Sequence, residues 1–407
     1  MKTMMFTLFA LILLLLPACE KSNEPATTEP LPIQLPLKAS EVIQQSNAFG
    51  LDLFKLTAQG DTGNMMLSPL SAATALTMLL NGCEGATYDQ IQQMLGFTDL
   101  TITEINDAYK SLLSQLLSVD PEITLTLANA LFYHSAFMVK QPFLYTLEED
   151  FSATVKSIDF SQPSALEAIN AWADDKTNGK IPKVLDELSP STVMILMNAL
   201  YFMGNWTYRF DKELTVTAPF YTDNGNIMEV SMMQNTLSLK TFSAEDFSAV
   251  ELPYGRTNFS MIVILPDGQP GEFVANLNEN IWEEMTAYFD NTDASVEIIF
   301  SMPKFKFAYE KSLKDQLIAL GMTDAFDEIQ ADLGGISNED IFVSFVKQNT
   351  FIDVNEEGTE AAAVTTIGFE ITSAPVSFTV NRPFVFAIRE RTSNALLFIG
   401  KVMTPQY

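Results

Sequence analysis

The chain is expected to fold as one large α+β domain, and three observations lead there. Segments with helical spacing come first in the folded part. Later segments turn to apolar, β-rich runs, and helices followed by strands suggest the α+β class. No linker-like stretch appears after residue 36, so both kinds of element belong to one body. The 407 residues are 47% hydrophobic, enough to bury a large core.

The elements follow in order. Ser40–Ala58 is expected to be a helix, because Val42, Ile43, Phe49, Leu51, Phe54 and Leu56 recur at mostly helical spacing behind Ser40-Glu41. A second helix starts at Pro69, where a missing N–H costs nothing, with Ser68 as its cap, and runs through Ala72, Leu76 and Leu79. Strands are expected at Ile123–Leu127, Val193–Met197, Phe259–Leu265 and Val296–Phe300. Several are apolar at consecutive positions, as strands covered on both faces would be. A further helix is expected over Glu310–Leu320, stopped by Gly321.

The N-terminus has its own organisation. Lys2 precedes an apolar run from Met4 to Leu16, the length of a signal-peptide core and too short to span a bilayer. Leu16-Pro17-Ala18-Cys19 resembles a bacterial lipobox, which implies a signal peptide over 1–18 and a lipidated Cys19; ordinary secretory cleavage is the alternative. Residues 19–36 then hold four prolines and three glutamates and read as an extended tether, the part after Cys19 about 50 Å long at ~3.1 Å per residue. The globular domain is read as 37–407. This pattern predicts a Gram-negative outer-membrane lipoprotein, surface-exposed or released, with the membrane reached through the N-terminal lipid. Cys83, the other cysteine, is expected to be a small core-edge residue, so no disulfide framework exists.

Charge and missing motifs exclude several functions. Against 23 basic residues stand 51 acidic ones, a net charge of −28, which disfavours nucleic acid and heparin-like polyanions as partners. The lone His134, in Phe132-Tyr133-His134-Ser135, is expected to be structural. Without a Gly-x-Ser-x-Gly elbow, clustered Cys/His ligands or a glycine-rich phosphate loop, no catalytic centre, metal site or cofactor is expected. The chain reads as a non-enzyme.

The segment Glu356-Glu357-Gly358-Thr359-Glu360-Ala361-Ala362-Ala363-Val364-Thr365-Thr366 stands out instead. It starts charged, pivots on glycine and continues through residues with little side chain. Thr-Glu-Ala-Ala-Ala has helix propensity, yet Val364–Ile367 is β-branched throughout. In a strand, Thr359, Ala361, Ala363 and Thr365 share one face, and all are small and uncharged. The composition suits a segment exposed in one state and buried in a sheet in another.

This segment resembles the reactive-loop hinge of the serpins, and the resemblance continues along the chain. Asn64, Ser68-Pro69 and Ser71 match the family's second-helix signature. Thr177-Asn178-Gly179-Lys180-Ile181, Asn198-Ala-Leu-Tyr-Phe-Met-Gly-Asn-Trp206, Pro303-Lys304-Phe305, Asn381-Arg-Pro-Phe-Val-Phe386 and Phe398-Ile-Gly-Lys-Val402 follow in the family's order. The resemblance implies a serpin fold with three β-sheets, about eight or nine helices and an exposed reactive-centre loop. It also implies suicide inhibition: a protease cleaves the loop, is acylated, and is carried off as the loop inserts into the central sheet. About fourteen residues at ~3.3 Å would move it on the order of 46 Å.

Site residues carry over by position. Glu356 and Lys304 match the pair at the top of the sheet beside Trp206. Ser71 and Asn198 match the polar cluster beneath it, where Gln348 replaces the family's frequent histidine and, unlike histidine, does not titrate near neutral pH. Counting from the hinge, and back from Asn381, places the scissile bond at Thr372-Ser373. No Lys or Arg lies between Glu360 and Asn381, so trypsin-like targets are disfavoured. Thr372 suits a small pocket of the elastase or subtilisin kind, and Ile371 suits a papain-like protease; Phe369 and Ile371 are the subsite residues. A covalent complex with the target protease is expected, from a monomeric inhibitor. A non-inhibitory serpin-fold carrier is the alternative.

Overall fold

The computed structural model describes residues 29–189, 191–359 and 376–407. Among these residues nine α-helices, two short 3-10 turns and fifteen strands make up a mixed fold, as the class expected from the sequence requires. The strands form three sheets. Two of them share the long strand Ile227–Ser243, which pairs with Val216–Tyr221 and Val296–Pro303 along most of its length and with Phe247–Tyr254 at its end. In the second of these sheets Phe259–Pro266, Phe384–Glu390 and Leu396–Val402 are buried at every position. Both faces are therefore covered, which accounts for their unbroken apolar runs. Arg389, one of the buried charges in these strands, is neutralised where it lies by Asp290 at 2.7 Å and Glu251 at 2.8 Å.

The third sheet positions the site. Its order is Phe305–Ser312, Lys347–Asn355, Gly358–Thr359, Met194–Asn205, Ile123–His134 and Thr154–Ile158. Five of these are full strands; the other is two residues long. Val354 lies opposite Thr359 and Thr359 opposite Gly204, so the short strand is antiparallel to both neighbours. The two long strands beside it are consequently parallel to one another. Among the described residues they share no ladder of their own.

One face of this sheet rests on the helix Pro69–Leu80, and Gln348, Thr350, Ile352 and Val354 turn toward the core on that side. The helix begins where the sequence places it, because Ser68 Oγ accepts the Ser71 N–H. On the opposite face the helix Pro163–Lys176 buries Ile169, Trp172 and Ala173 against Phe132, Ile195 and Ala199. The expected strands at Ile123, Val193, Phe259 and Val296 all form, the second starting at Met194, and all are longer than the apolar runs alone suggest.

The expected helix over Glu310–Leu320 is a correction. Phe305–Ser312 is a strand paired along its whole length with Lys347–Asn355, and the helix is only Lys314–Ala319. The alternation Phe305, Phe307, Tyr309 is a period of two, and it outweighs the local helix propensity of Glu310-Lys311. Helices and strands also interleave, rather than helices preceding strands, with helices at Gln141–Phe151, Pro163–Lys176 and Glu279–Asn291 between strands.

The last residues of the expected tether lie against the domain. Asn258 holds Leu31 through both main-chain groups, accepting its N–H at 2.9 Å and donating to its carbonyl at 2.7 Å. Gln115 does the same for Gln34, at 2.7 and 2.6 Å. Ile33 and Leu35 are half-buried against the core.

Candidate functional site

The site is the top of the gap between Lys347–Asn355 and Met194–Asn205, where the hinge starts. Gly358 and Thr359 are both buried there. Gly358 has φ +144°, and a Cβ would come 2.1 Å from the Gly204 carbonyl oxygen and 2.6 Å from the Asn205 Cα. Only glycine fits so close to the neighbouring strand. Thr359 turns inward, level with the buried Val354 and Gly204, and its hydroxyl lies 2.9 Å from the Tyr254 hydroxyl. Tyr254 is buried, which pushes its phenol well above its ordinary pKa, so it stays a neutral hydrogen-bonding group.

Several contacts tie the hinge on both sides. Trp206 stacks on Tyr254 at 4.3 Å, donates its ring N–H to the Asn355 carbonyl at 2.9 Å and its backbone N–H to the Glu357 carbonyl at 2.9 Å. Phe210 N–H donates to the Glu356 carbonyl at 2.9 Å. The Glu356 carboxylate, 4% exposed, receives Lys304 Nζ at 3.1 Å and the Thr215 hydroxyl at 2.8 Å. Burial works against its charge, but backbone and Thr215 hydrogen bonds and the Lys304 ammonium outweigh that and hold its pKa below the usual range. Glu356 thus bridges Lys304 on one side of the gap and Thr215 on the other. Lys212 reaches the Glu357 carboxylate from the same side as Thr215.

The polar cluster beneath the sheet divides in two. Ser71 Oγ donates to Asn198 Oδ1, and Asn198 donates to Asn129, whose own amide donates to the Phe151 carbonyl at 2.7 Å. Gln348 instead brackets Ser68, accepting its N–H and donating to its carbonyl, both at 2.9 Å. The register that sets Val354 level with Gly204 also sets Gln348 level with Asn198. The cluster therefore spans the gap through the helix N-terminus, with Ser68 as its link.

The structure thus brings together Lys304, Glu356, Trp206, Gly358 and Thr359 at the top of the gap and Ser71, Asn198 and Gln348 below. Glu360, Ala361, Ala362, Ala363, Val364, Thr365, Phe369, Ile371, Thr372, Ser373 and Cys19 lie outside the described residues. Sequence reasoning missed Tyr254, Thr215, Lys212, Ser68 as a linker and Asn129. Their partners are distant along the chain, and only Asn129 had a visible signal, facing Asn198 on the neighbouring apolar strand.

Elsewhere the expectations concern single residues. Cys83 is buried, donates its thiol to the Leu79 carbonyl at 3.3 Å, and burial pushes the thiol far above its ordinary pKa, so it is inert. His134 accepts the Ala136 N–H at 3.0 Å and lies edge-on to Phe160. Among the described residues no cluster of three or more His, Cys, Asp or Glu could hold a metal ion.

The third sheet thus carries the two-residue strand Gly358–Thr359 between two long parallel strands, at the start of the segment that resembles the serpin hinge. The family profile described as Serpin (serine protease inhibitor) matches residues 44–405, and the chain belongs to that family. A serpin-like protein of Methanosarcina mazei is 34% identical over 91% of this chain and 89% of its own length. The human leukocyte elastase inhibitor is 33% identical over 88% of this chain and 97% of its own. Among solved structures, the native thermophilic serpin tengpin superposes with a TM-score of 0.82 at 30% identity, covering 93% of this chain and 97% of that one.

Proposed function

We propose that this serpin is a suicide inhibitor of proteases, cleaved at Thr372-Ser373 and trapping its target by inserting the loop between Lys347–Asn355 and Met194–Asn205. The observation that carries this reading is the seated pair Gly358–Thr359, hydrogen-bonded to both long strands above a gap with no ladder of its own. Continuing that register would bring Ala361 beside Ile352 and Phe202, Ala363 beside Thr350 and Leu200, and Thr365 beside Gln348 and Asn198. All of these neighbours but the amide pair are apolar or small, and small uncharged side chains suit them. A dozen new backbone hydrogen bonds at ~0.5–1.5 kcal/mol each would drive insertion.

Elastase-like or subtilisin-like serine proteases are the proposed targets, with papain-like cysteine proteases the second class. The name of the human relative, which is said of that protein, supports the first. The inhibitor is proposed to act as a monomer held to the outer membrane of a Gram-negative cell through Cys19, without a cofactor.

For the carrier alternative, a cleft among the described residues lined by Gln44, Asn47, Trp282 and Asn394 has a volume of about 170 Å³. That is below the ~300 Å³ at which small-molecule sites usually begin. The deciding experiment is incubation with pancreatic or neutrophil elastase and subtilisin, followed by denaturing electrophoresis and mass analysis. A covalent complex whose loop is cut after Thr372 is expected. Clean cleavage by every enzyme, papain-like ones included, with no complex would put the carrier reading ahead.

A further inference from the structure

Tyr407 is 60% exposed, yet it is held in one place. The Asn64 side chain accepts the N–H groups of Met403 and Thr404 at 2.7 and 3.0 Å and donates to the Thr404 carbonyl at 2.8 Å. The Gln406 carbonyl then accepts the Lys306 N–H at 2.7 Å. These contacts carry the tail to the top of the sheet. There the face of the Tyr407 ring lies 4.0 Å from Lys304 Nζ.

Lys304 Nζ is therefore between two groups, the ring of Tyr407 and the carboxylate of Glu356 at 3.1 Å. A lysine ammonium is strongly hydrated and its four-carbon stem is flexible, so a single carboxylate does not hold it in one rotamer. A ring face against the ammonium attracts the same cation and shields it from water. Glu356 needs that cation in place, because Lys304 is the ammonium in direct contact with its buried carboxylate, at 3.1 Å.

We propose that Tyr407 is a positioning residue for the Lys304–Glu356 pair, and that its ring keeps the top of the gap closed by holding Lys304 on Glu356. Its functional meaning rests on the loop-insertion reading, but the closure itself is a property of the intact protein. An aromatic residue at the end of a tail with no such role would leave the hinge unaffected when changed.

The test reads hydrogen exchange at the Trp206 and Phe210 amides of the full chain, whose acceptors are the Glu357 and Glu356 carbonyls. Tyr407→Leu is expected to speed exchange at both by about fivefold. Tyr407→Phe and Tyr407→Trp, which keep a ring, are expected to stay near the parent rate. In a Lys304→Met background, Tyr407→Leu is expected to add nothing. The proposal is overturned by unchanged exchange in Tyr407→Leu, by failure of the aromatic variants to hold the parent rate, or by a leucine effect that persists in full without Lys304. Equal acceleration in the buried strand Phe259–Pro266 would also overturn it, as a global loss of stability. A protein that trapped no protease but showed this coupling would sink the inhibitor reading and leave the role of Tyr407 standing.

Discussion

The Tyr254 hydroxyl lies 2.9 Å from the Thr359 hydroxyl, and Tyr254 is stacked on Trp206. Thr359 is thus seated in the protein's interior, against an aromatic pair formed by Tyr254 of another sheet and Trp206 at the end of the neighbouring strand Met194–Asn205. On the proposed mechanism, insertion would continue from this residue.

Thr359→Arg places a charge at a position that is 5% exposed and bounded by Val354, Gly204 and Tyr254. An unpaired buried guanidinium is costly enough to push the rung out of the sheet. The variant is expected to be cut by its target without forming a complex. Unchanged stoichiometry of inhibition would contradict insertion from this point.

Gly358→Val combines a φ of +144° with a Cβ that would collide with the backbone of Gly204 and Asn205. The native protein is expected to lose about 1–3 kcal/mol, read as a lower urea midpoint. Protection of the Trp206 amide should fall as well, because its acceptor is the adjacent Glu357 carbonyl.

Glu356 gives the top of the gap an acid sensitivity. Its folded pKa is depressed, so the stability it contributes is fully present above the unfolded value of about 4.3 and is lost as pH falls through the lower folded value. Trp206 fluorescence, followed from pH 6 to pH 3, is expected to change in the acid range. Glu356→Gln should remove most of that change.

Gln348 predicts the opposite for the range between pH 5 and 8. It holds Ser68 with an amide that does not titrate, so the rate of spontaneous insertion should be nearly flat there. Gln348→His is expected to introduce a slope. Gln348→Ala leaves the buried Ser68 N–H without that partner, while the Ser68 carbonyl keeps the Ala72 N–H, and should lower stability by about 1–3 kcal/mol.

What could be read from the sequence was local or repeated. Ser68-Pro69 announces a capped helix, and the apolar runs at Phe259 and Val296 announce covered strands. The small residues after Gly358 announce a segment that can be buried. Glu310-Lys311 misled because helix propensity is local, whereas a strand is decided by the partner it meets, here Gln348 and Asn349. The pairing of Glu356 with Thr215, 141 residues away, and of Tyr254 with Thr359, 105 residues away, leaves no periodic trace. The glycine at 358 was legible as a pivot. That it must be glycine because the Gly204 carbonyl lies against it was not.

The central claim is that the loop becomes a strand between Lys347–Asn355 and Met194–Asn205. The most direct measurement is the thermal midpoint of the protein before and after a single cut near Thr372, with both fragments retained. Insertion predicts that the cut protein melts higher by about 20 °C or more, since a dozen added hydrogen bonds and their burial far exceed the ~1 kcal/mol that moves a chain of this size by about 2 °C. A midpoint that stays the same or falls would contradict the account.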